Sequence, residues 1–227
     1  MKILGIVQAR RGSANLPGKV LRDLNGEPML VTVLQRAARA ASLDRVVVAL
    51  PDNRQDDPIE QLCHAYGFYC FRGSEADVLD RIYRTAIGFC ADVVVPLRGN
   101  CPLVDPELID GAVTTLISHP EADWSSNSFP KATYPRGLEV EAIHIAALKR
   151  AWQEDTHAGS RERVDAYFAR RVDLFQVAEM RSEEDYSYLD YTVNTLQDLE
   201  RLRSVFENFG HNHFGWRDAV AEEEIKR

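Results

Sequence analysis

The first hydrophobic run of the chain and the loop behind it read ILGIVQARRGSANLPGKVL, from Ile3 to Leu21. The run Ile3–Val7 is short, apolar and rich in β-branched residues, which predicts a buried strand. The loop Ala9–Leu21 has two glycines, a proline and three basic residues, and it has no acidic residue. Such a loop at the end of a strand is suited to a negatively charged ligand, because backbone amides and cationic side chains can converge there.

Two common phosphate-binding loops do not match this stretch. Five residues separate Gly12 from Gly18, which fits neither the dinucleotide fingerprint GxGxxG nor the P-loop GxxxxGK[ST]. The P-loop also requires Ser or Thr where Val20 follows Lys19. The residues themselves still favour phosphate: Gly12 allows close backbone approach, Arg10 can hold two phosphate oxygens, and Lys19 can supply a point charge. A solvated basic loop is the alternative.

The first half of the chain alternates apolar strands with helices. This alternation predicts an α/β fold with a mostly parallel sheet that is covered on both faces. Ligands of such sheets bind at the carboxyl ends of the strands, where the opening loop and Arg98–Pro102 both fall. The predicted strands after the first are Arg45–Leu50, Phe68–Phe71 and Asp92–Leu97. The predicted helices are Pro28–Ala41, Pro58–Tyr66, Glu75–Cys90 (N-cap Ser74) and Pro106–Ser118 (N-cap Asp105).

The second half is less regular. We expect one domain over residues 1–227, with an arm or acceptor-side segment at 126–145 and a polar tail of uncertain structure at 211–227. The predicted strands are Trp124–Ser126, Leu138–Ile145, Leu174–Ala178 and Tyr188–Val193. The predicted helices are Ala146–Glu154, Arg161–Arg171 and Leu196–Phe209, the last with Thr195 as its N-cap.

Composition excludes several classes of protein. The chain has 227 residues and a net charge of -8, which argues against binding to nucleic acid or to an anionic membrane. No run reaches the ~20 apolar residues of a membrane helix. Five apolar residues follow Met1-Lys2, too few for a signal peptide. A cytoplasmic protein is the expectation, and the cations clustered in the opening loop are notable in so acidic a chain.

The opening loop resembles the signature of the nucleotidyltransferases that activate acidic sugars. These are the acylneuraminate and 3-deoxy-ulosonate cytidylyltransferases, and the spore-coat polysaccharide biosynthesis subgroup is the most similar. Four more segments resemble that subgroup in the same order over most of the chain. They are RGSEADVLDR (Arg72–Arg81), NCPLVDPELID (Asn100–Asp110), YPRGLEVEAI (Tyr134–Ile143) and YTVNTLQDLE (Tyr191–Glu200).

This resemblance implies a Rossmann-like, three-layer nucleotidyltransferase fold of the GT-A-like type, with a protruding arm that forms a homodimer. It implies transfer of CMP from CTP to an acidic or amino sugar, or a related polyol, with release of pyrophosphate for surface glycan biosynthesis. Arg10 and Lys19 would be the catalytic residues. The nucleotide-binding residues would be Ala9, Arg10, Gly12, Ser13, Lys19, Arg72, Ser74 and Asn100. The acceptor-binding residues would be Tyr134, Arg136, Glu139 and Glu141.

Two positions depart from the resemblance where it implies a magnesium site. The family has metal-binding aspartates at the positions of Asn100 and Asn194, and neutral amides bind a divalent cation more weakly than carboxylates do. Further departures near the expected site are Asn15, Arg163 and Asp190.

Three interpretations therefore stay open. The chain is an active enzyme with a shifted substrate or metal arrangement, or a weak or inactive relative that binds a nucleotide or nucleotide-sugar, or another glycan-pathway transferase on the same fold. In the first case a metal could recruit Asp77, Asp105 or Glu141.

Overall fold

The computed structural model describes residues 1–225, and its helices and strands follow the predicted alternation. The strands are β1 (Ile3–Gln8), β2 (Asp23–Leu24), β3 (Glu27–Pro28), β4 (Arg45–Pro51), β5 (Tyr69–Gly73), β6 (Val93–Arg98), β7 (Trp124–Ser126), β8 (Glu141–His144) and β9 (Val177–Glu179). The helices are α1 (Met29–Ala37), α2 (Asp57–Ala65), α3 (Val78–Gly88), α4 (Pro106–Ser118), α5 (Ile145–Glu154), α6 (Ala158–Arg161), α7 (Val164–Arg170), α8 (Leu196–Phe209) and α9 (Trp216–Ile225). Short 3-10 turns cover Lys19–Leu21 and Arg54–Asp56.

The main sheet has the strand order β5-β4-β1-β6-β8-β7-β9 among the residues described. The neighbours β5, β4, β1 and β6 are parallel. Strand β8 is antiparallel to both β6 and β7, while β9 is parallel to β7. The mostly parallel α/β sheet that the apolar strands predicted is therefore confirmed.

The sheet has two buried faces, which makes the fold three-layered. Side chains alternate along a strand with a period of two. Accordingly, Ile3 and Val7 of β1 pack in the cluster that contains α1, α4 and α8. Leu4 and Ile6 of the same strand pack on the opposite face with α3, α5 and α7. Burial on both faces explains why these strands are apolar without alternation.

The chain order creates a crevice between β1 and β6. From β1 the chain passes to β4 and β5 on one side, and it then returns to the other side of β1 at β6. Gln8 and Arg98, the last residues of β1 and β6, lie side by side in register. The Gly99 amide donates a hydrogen bond of 2.9 Å to the Gln8 carbonyl oxygen. A Cβ at position 99 would lie 3.0 Å from that oxygen, so glycine permits this close approach.

Two of the three predicted helix caps are confirmed. Asp105 caps α4, and Thr195 forms a capping box at the start of α8. The prediction of Ser74 as an N-cap is wrong, because α3 begins at Val78 and its cap is Asp77. The Ser74 hydroxyl instead accepts the Asp77 amide at 3.1 Å, which closes a turn just before the helix. Ser and Asp make the same kind of side-chain-to-backbone bond, so local sequence does not choose between them.

The second half contains less strand than its pattern predicts. Tyr188–Val193 was predicted as a strand, but its described pairing is an isolated bridge between Arg136 and Asp190. The predicted strand Leu138–Ile145 is shortened to Glu141–His144. Tyr191 and Val193 are nevertheless fully buried. Their apolar pattern reports burial in the core, which a segment can have without a continuous ladder of hydrogen bonds.

The arm segment, residues 126–145, packs along most of its length against the rest of the protein. Its exposed residues are Pro130, Lys131 and Arg136. Asn127 is buried and exchanges hydrogen bonds with the backbone of Leu138 and Val140. Whether this segment joins two copies of the chain stays a prediction.

The tail forms a helix, α9, whose Trp216 is buried. The tail's last two residues, 226–227, lie outside the described part of the chain. None of the helices between residues 1 and 225 combines the length and the apolar character that crossing a bilayer requires.

We predict that Gly137→Ala destabilises the fold through its backbone. Gly137 has a φ of +88°, and a Cβ there would lie 2.7 Å from the Tyr191 carbonyl carbon. The strain and the clash should lower the free energy of unfolding by about 2 kcal/mol or more, measured by urea denaturation. Gly12→Ala is the matched control, since its Cβ would meet no described atom within 4 Å. Equal midpoints for the two variants would contradict the prediction.

Candidate active site

A cleft of about 550 Å³ lies at the carboxyl ends of β1 and β6. The loop after β1 forms one wall, and the start of α3 forms another. Its lining residues are Gln8, Ala9, Arg10, Gly12, Ser13, Ala14, Lys19, Val20, Glu75, Ala76, Val78, Arg81, Arg98, Asn100, Glu162 and Arg163. The predicted site residues Ala9, Arg10, Gly12, Ser13, Lys19 and Asn100 are therefore brought together at one cleft.

The cleft concentrates positive charge. Its described lining contains five basic residues and two acidic ones, in a chain whose net charge is -8. Burial lowers the pKa of Lys19, and the nearby Arg10 charge adds to this effect. Burial also lowers the pKa of Arg81, again with a contribution from Arg10. Such mutual repulsion among cations is relieved when an anion binds between them.

Arg81 is a cleft residue that the sequence reasoning did not single out. It is buried, and its guanidinium donates to the Ser74 carbonyl oxygen. Its Nε atom has no hydrogen-bond partner among the described residues. A buried donor without a partner is costly, so a ligand with oxygen acceptors would be favoured here. The available signal was its place as the last residue of the stretch Arg72–Arg81, which resembles a family motif.

Arg72 and Ser74, which were expected near the nucleotide, are not among the cleft-lining residues. The Arg72 guanidinium donates to Glu60 at 2.7 Å and to Asp57 at 2.7 Å. These carboxylates, Glu60 above all, raise the pKa of Arg72. The side chain is thus engaged by α2. The Ser74 hydroxyl accepts the Asp77 amide, and its carbonyl oxygen accepts the Arg81 guanidinium, so that Ser74 ties the turn before α3 to the helix. A direct role of either residue in nucleotide binding stays a prediction.

Lys19 lies in a cluster with the two asparagines that replace the expected aspartates. Its ammonium donates to the Val193 carbonyl oxygen at 2.8 Å and to Asn194 Oδ1 at 3.1 Å. The Asn100 amide also donates to Asn194 Oδ1, at 3.2 Å. Residues 1–225 contain no group of three or more His, Cys, Asp or Glu side chains placed to hold a metal ion. These two neutral amides, of which Asn194 is bound to Lys19, do not fit a divalent cation, which prefers carboxylate oxygens.

The three carboxylates considered as replacement metal ligands do not line the cleft. Asp77 caps α3 and pairs with Arg161 at 2.7 Å. Asp105 is buried, where it caps α4 and accepts the Trp216 amide at 2.8 Å. Both carboxylates are used by the fold itself. Glu141 is also buried and accepts a hydrogen bond of 3.3 Å from the Ser128 hydroxyl.

The predicted acceptor residues are not among the cleft-lining residues. The Tyr134 ring packs edge-on against Trp216, with ring centroids 5.3 Å apart. Arg136 is exposed, 3.5 Å from Asp190. Glu139 is connected to the cleft through Arg98, which lies 3.9 Å away. The predicted acceptor role of Tyr134, Arg136, Glu139 and Glu141 stays a prediction.

Glu141 has the environment of a carboxyl group that holds its proton. Burial raises its pKa to about 8, and the nearby Asp165 carboxylate acts in the same direction, while the Arg98 charge opposes them. A carboxyl group with this pKa is mostly protonated and neutral below about pH 8. Above that pH it ionises, and the buried charge costs free energy.

Comparison with known proteins finds the cytidylyltransferase family and relatives that match most of the chain. A sequence model of the cytidylyltransferase family matches residues 4–212. The spore coat polysaccharide biosynthesis protein SpsF of Bacillus subtilis is 31% identical over 223 residues, which cover 92% of this chain and 88% of that protein. The 8-amino-3,8-dideoxy-manno-octulosonate cytidylyltransferase of Shewanella amazonensis is 30% identical, covering 93% of this chain and 88% of that enzyme.

Among solved structures, a cytidylyltransferase from Leptospira borgpetersenii has a TM-score of 0.95 to this chain at 27% identity. The match covers 100% of this chain and 95% of that one. The similarity therefore extends over the whole fold.

We predict that Glu141 makes stability fall as the pH rises. Its folded-state pKa of about 8 lies above the ordinary value of 4.5, so the folded protein holds this proton more tightly than the unfolded one. The contribution is fully present below pH 4.5 and is lost as the pH rises through about 8.

We compare the free energy of unfolding of the wild type with that of Glu141→Gln at each pH by urea denaturation. The value for the wild type minus the value for the variant should fall by about 1 kcal/mol or more between about pH 5 and pH 8.5. Glu121→Gln, at an exposed position, is the control. A difference that does not change with pH would contradict the assignment.

Proposed function

The chain belongs to the cytidylyltransferase family, whose members transfer CMP from CTP to sugar-like acceptors, and we propose that its own acceptor is an acidic or amino sugar. The product would be a CMP-activated sugar for surface glycan biosynthesis. Two relatives support this acceptor class by their names: one acts in spore coat polysaccharide biosynthesis, and the other is a cytidylyltransferase for an amino-octulosonate.

The observation that carries the proposal is the cationic cleft at the ends of β1 and β6. A nucleoside triphosphate is strongly anionic, and the guanidinium groups of Arg10, Arg81 and Arg98 suit phosphate oxygens. Lys19 adds a point charge in the same cleft. Gly12 lets the loop backbone approach the nucleotide closely. This set matches the ligand better than it matches a neutral sugar alone.

The proposed reaction is an in-line substitution at the α-phosphorus of CTP. The acceptor hydroxyl oxygen forms a new bond to this phosphorus as the bond to the bridging oxygen of pyrophosphate breaks. The hydroxyl proton is released, and pyrophosphate leaves with its electron pair. Catalysis of this kind is mainly positioning and charge stabilisation. Arg10 and Lys19 would hold the phosphates in line and offset the charge on the leaving group.

Magnesium is the cofactor that the family resemblance implies, and related cytidylyltransferases typically use a divalent metal. A bound magnesium ion would neutralise phosphoryl oxygens. Because the donors around Asn100 and Asn194 do not fit such an ion, the proposal assigns phosphate binding to the cations of the cleft.

The remaining basic residue of the cleft lining is consistent with an acidic acceptor. Arg163 lines the cleft, and its guanidinium could bind both oxygens of a sugar carboxylate. Glu162 also lines the cleft and suits a hydroxyl or amino group. This supports the class of sugar and leaves its identity open to a substrate panel.

A second candidate is binding of CTP or a CMP-sugar without turnover. The observation that favours it is the replacement of two carboxylates by Asn100 and Asn194 in the cluster with Lys19. A different glycan-pathway transferase on the same fold is a further alternative. Pyrophosphate release distinguishes both from the main proposal.

We further propose that the protein works as a homodimer in the cytoplasm. The support is the family resemblance of the arm segment, whose tip at Pro130 and Lys131 is exposed. Sedimentation analysis of the wild type would detect the dimer, and a monomer at all concentrations would contradict it.

We predict that Lys19→Ala weakens CTP binding. Loss of one charge-assisted contact should raise the dissociation constant about tenfold or more, measured by calorimetry. Lys149→Ala on α5 is the matched control, because Lys149 is exposed and outside the cleft. Unchanged CTP affinity in Lys19→Ala would remove Lys19 from the site.

We predict release of pyrophosphate when the protein is given CTP, magnesium and the correct acidic or amino sugar. The measurement is a coupled pyrophosphate assay over a panel of such sugars, with ATP and UTP as nucleotide controls. CTP binding without pyrophosphate release for the whole panel would favour the non-catalytic candidate. In that case, turnover gained by Asn100→Asp with Asn194→Asp would identify the chain as a lapsed enzyme.

A further inference from the structure

The ammonium of Lys19 is held by acceptors that come from a distant part of the chain. Val193 and Asn194 lie just before α8. The Val193 carbonyl oxygen and Asn194 Oδ1 lie 2.8 Å and 3.1 Å from Lys19 Nζ. An ammonium has three N–H donors and no acceptor. Two of these donors are therefore used by the 193–194 backbone and side chain, and the third is left for a ligand in the cleft that Lys19 lines.

Asn100 fixes the geometry of this acceptor pair. Its side-chain amide donates to Asn194 Oδ1 at 3.2 Å and approaches the Val193 carbonyl oxygen at 3.4 Å. The Asn100 carbonyl oxygen also accepts the Val193 amide at 2.9 Å. The loop after β6 is thereby tied to the segment that holds Lys19. Asn194 is itself held from its other end, since its amide donates to the Thr192 hydroxyl at 3.0 Å.

The same arrangement is unfavourable for a divalent cation. Asn194 Oδ1, the oxygen that would have to bind the metal, already accepts both the ammonium and the Asn100 amide. Asp198, four residues further along the chain, accepts the backbone amides of Asn194 and Thr195 as part of the α8 cap. A metal at this point would meet the positive charge of Lys19 at short range in a half-buried site, where repulsion is poorly screened.

We propose that Asn100 and Asn194 are positioning residues for the Lys19 ammonium that binds the triphosphate, Asn194 by direct contact and Asn100 through Asn194 and Val193. We also propose that this chain holds no divalent cation of its own at these two positions. A single protein cation, held by the Asn194 side chain and the Val193 carbonyl oxygen, takes the place of a metal held by two carboxylates. The proposal rests on the proposed function for the identity of the ligand, CTP. Its statement about the metal is independent of that function.

The metal part is tested by titrating nucleotide-free protein with Mn²⁺ and measuring free Mn²⁺ by electron paramagnetic resonance. We expect no stoichiometric binding to the wild type. The double variant Asn100→Asp, Asn194→Asp should bind one Mn²⁺ at least about tenfold more tightly than the wild type. One Mn²⁺ bound tightly to the wild type would overturn the proposal, and so would a double variant that gains no affinity.

The nucleotide part is tested by calorimetry with CTP, once with EDTA and once with magnesium. The wild-type dissociation constant should differ by less than about tenfold between the two, because the chain supplies its own cations. A larger loss of affinity in EDTA would overturn this part. If CTP binds in neither condition, the proposed function fails, and the Mn²⁺ titration still decides the metal part.

The positioning role is tested by a double-mutant cycle between Asn194→Leu and Lys19→Ala. Asn194→Leu should weaken CTP binding about fivefold in the wild type. It should have hardly any effect in the Lys19→Ala background, because the ammonium that Asn194 positions is already gone. Equal effects in the two backgrounds would overturn the positioning role. Asn208→Leu on the exposed side of α8 is the matched control, and thermal melts verify that each variant is folded.

Discussion

The hydrogen bond from the Gly99 amide to the Gln8 carbonyl oxygen is the contact on which the site depends. It joins the ends of β1 and β6 at the point where the chain reverses its direction of travel across the sheet. The two loops that leave these strands then face each other across one crevice. Arg10 and Lys19 come from the first loop and Asn100 from the second. A Cβ at position 99 would lie 3.0 Å from the Gln8 carbonyl oxygen and 3.3 Å from the Ala9 Cβ, tighter than ordinary contact.

Two opposing effects act on the basic side chains of the cleft: burial with mutual repulsion, and hydrogen bonds to neutral oxygen atoms. Burial and mutual repulsion lower the pKa of Lys19 and Arg81, which is unfavourable for the protein without a ligand. Carbonyl and amide oxygens offset part of that cost without cancelling the charge, as Val193 and Asn194 do for Lys19. Had these neutral acceptors been carboxylates, an ion pair with Lys19 would compete with the phosphates. Neutral oxygens hold a cation in place and leave its charge available.

Much of the fold was predictable, because local patterns report it. The apolar strands predicted the parallel sheet, and the residues Asp105 and Thr195 predicted the starts of α4 and α8 correctly. Ser74 was misassigned since two side chains close in sequence can cap equally well. The segment around Tyr191 was taken for a strand, because burial and strand formation produce the same apolar pattern over a few residues. Arg81 was missed although it ends the motif-like stretch Arg72–Arg81, because its helical position does not show that its side chain reaches the cleft.

The sequence by itself determined the class of the protein: a strand followed by a basic, glycine-containing loop, within an α/β alternation, and a set of motifs shared with one family. Only the tertiary structure decided which basic residues serve the cleft. It engaged Arg72 with Glu60 and Asp57, and it brought Arg81 to the cleft instead. It also placed Lys19 against Asn194, 175 positions away. Periodicity and capping act over a few residues, whereas a contact at that separation is set by the packing of whole elements on the sheet.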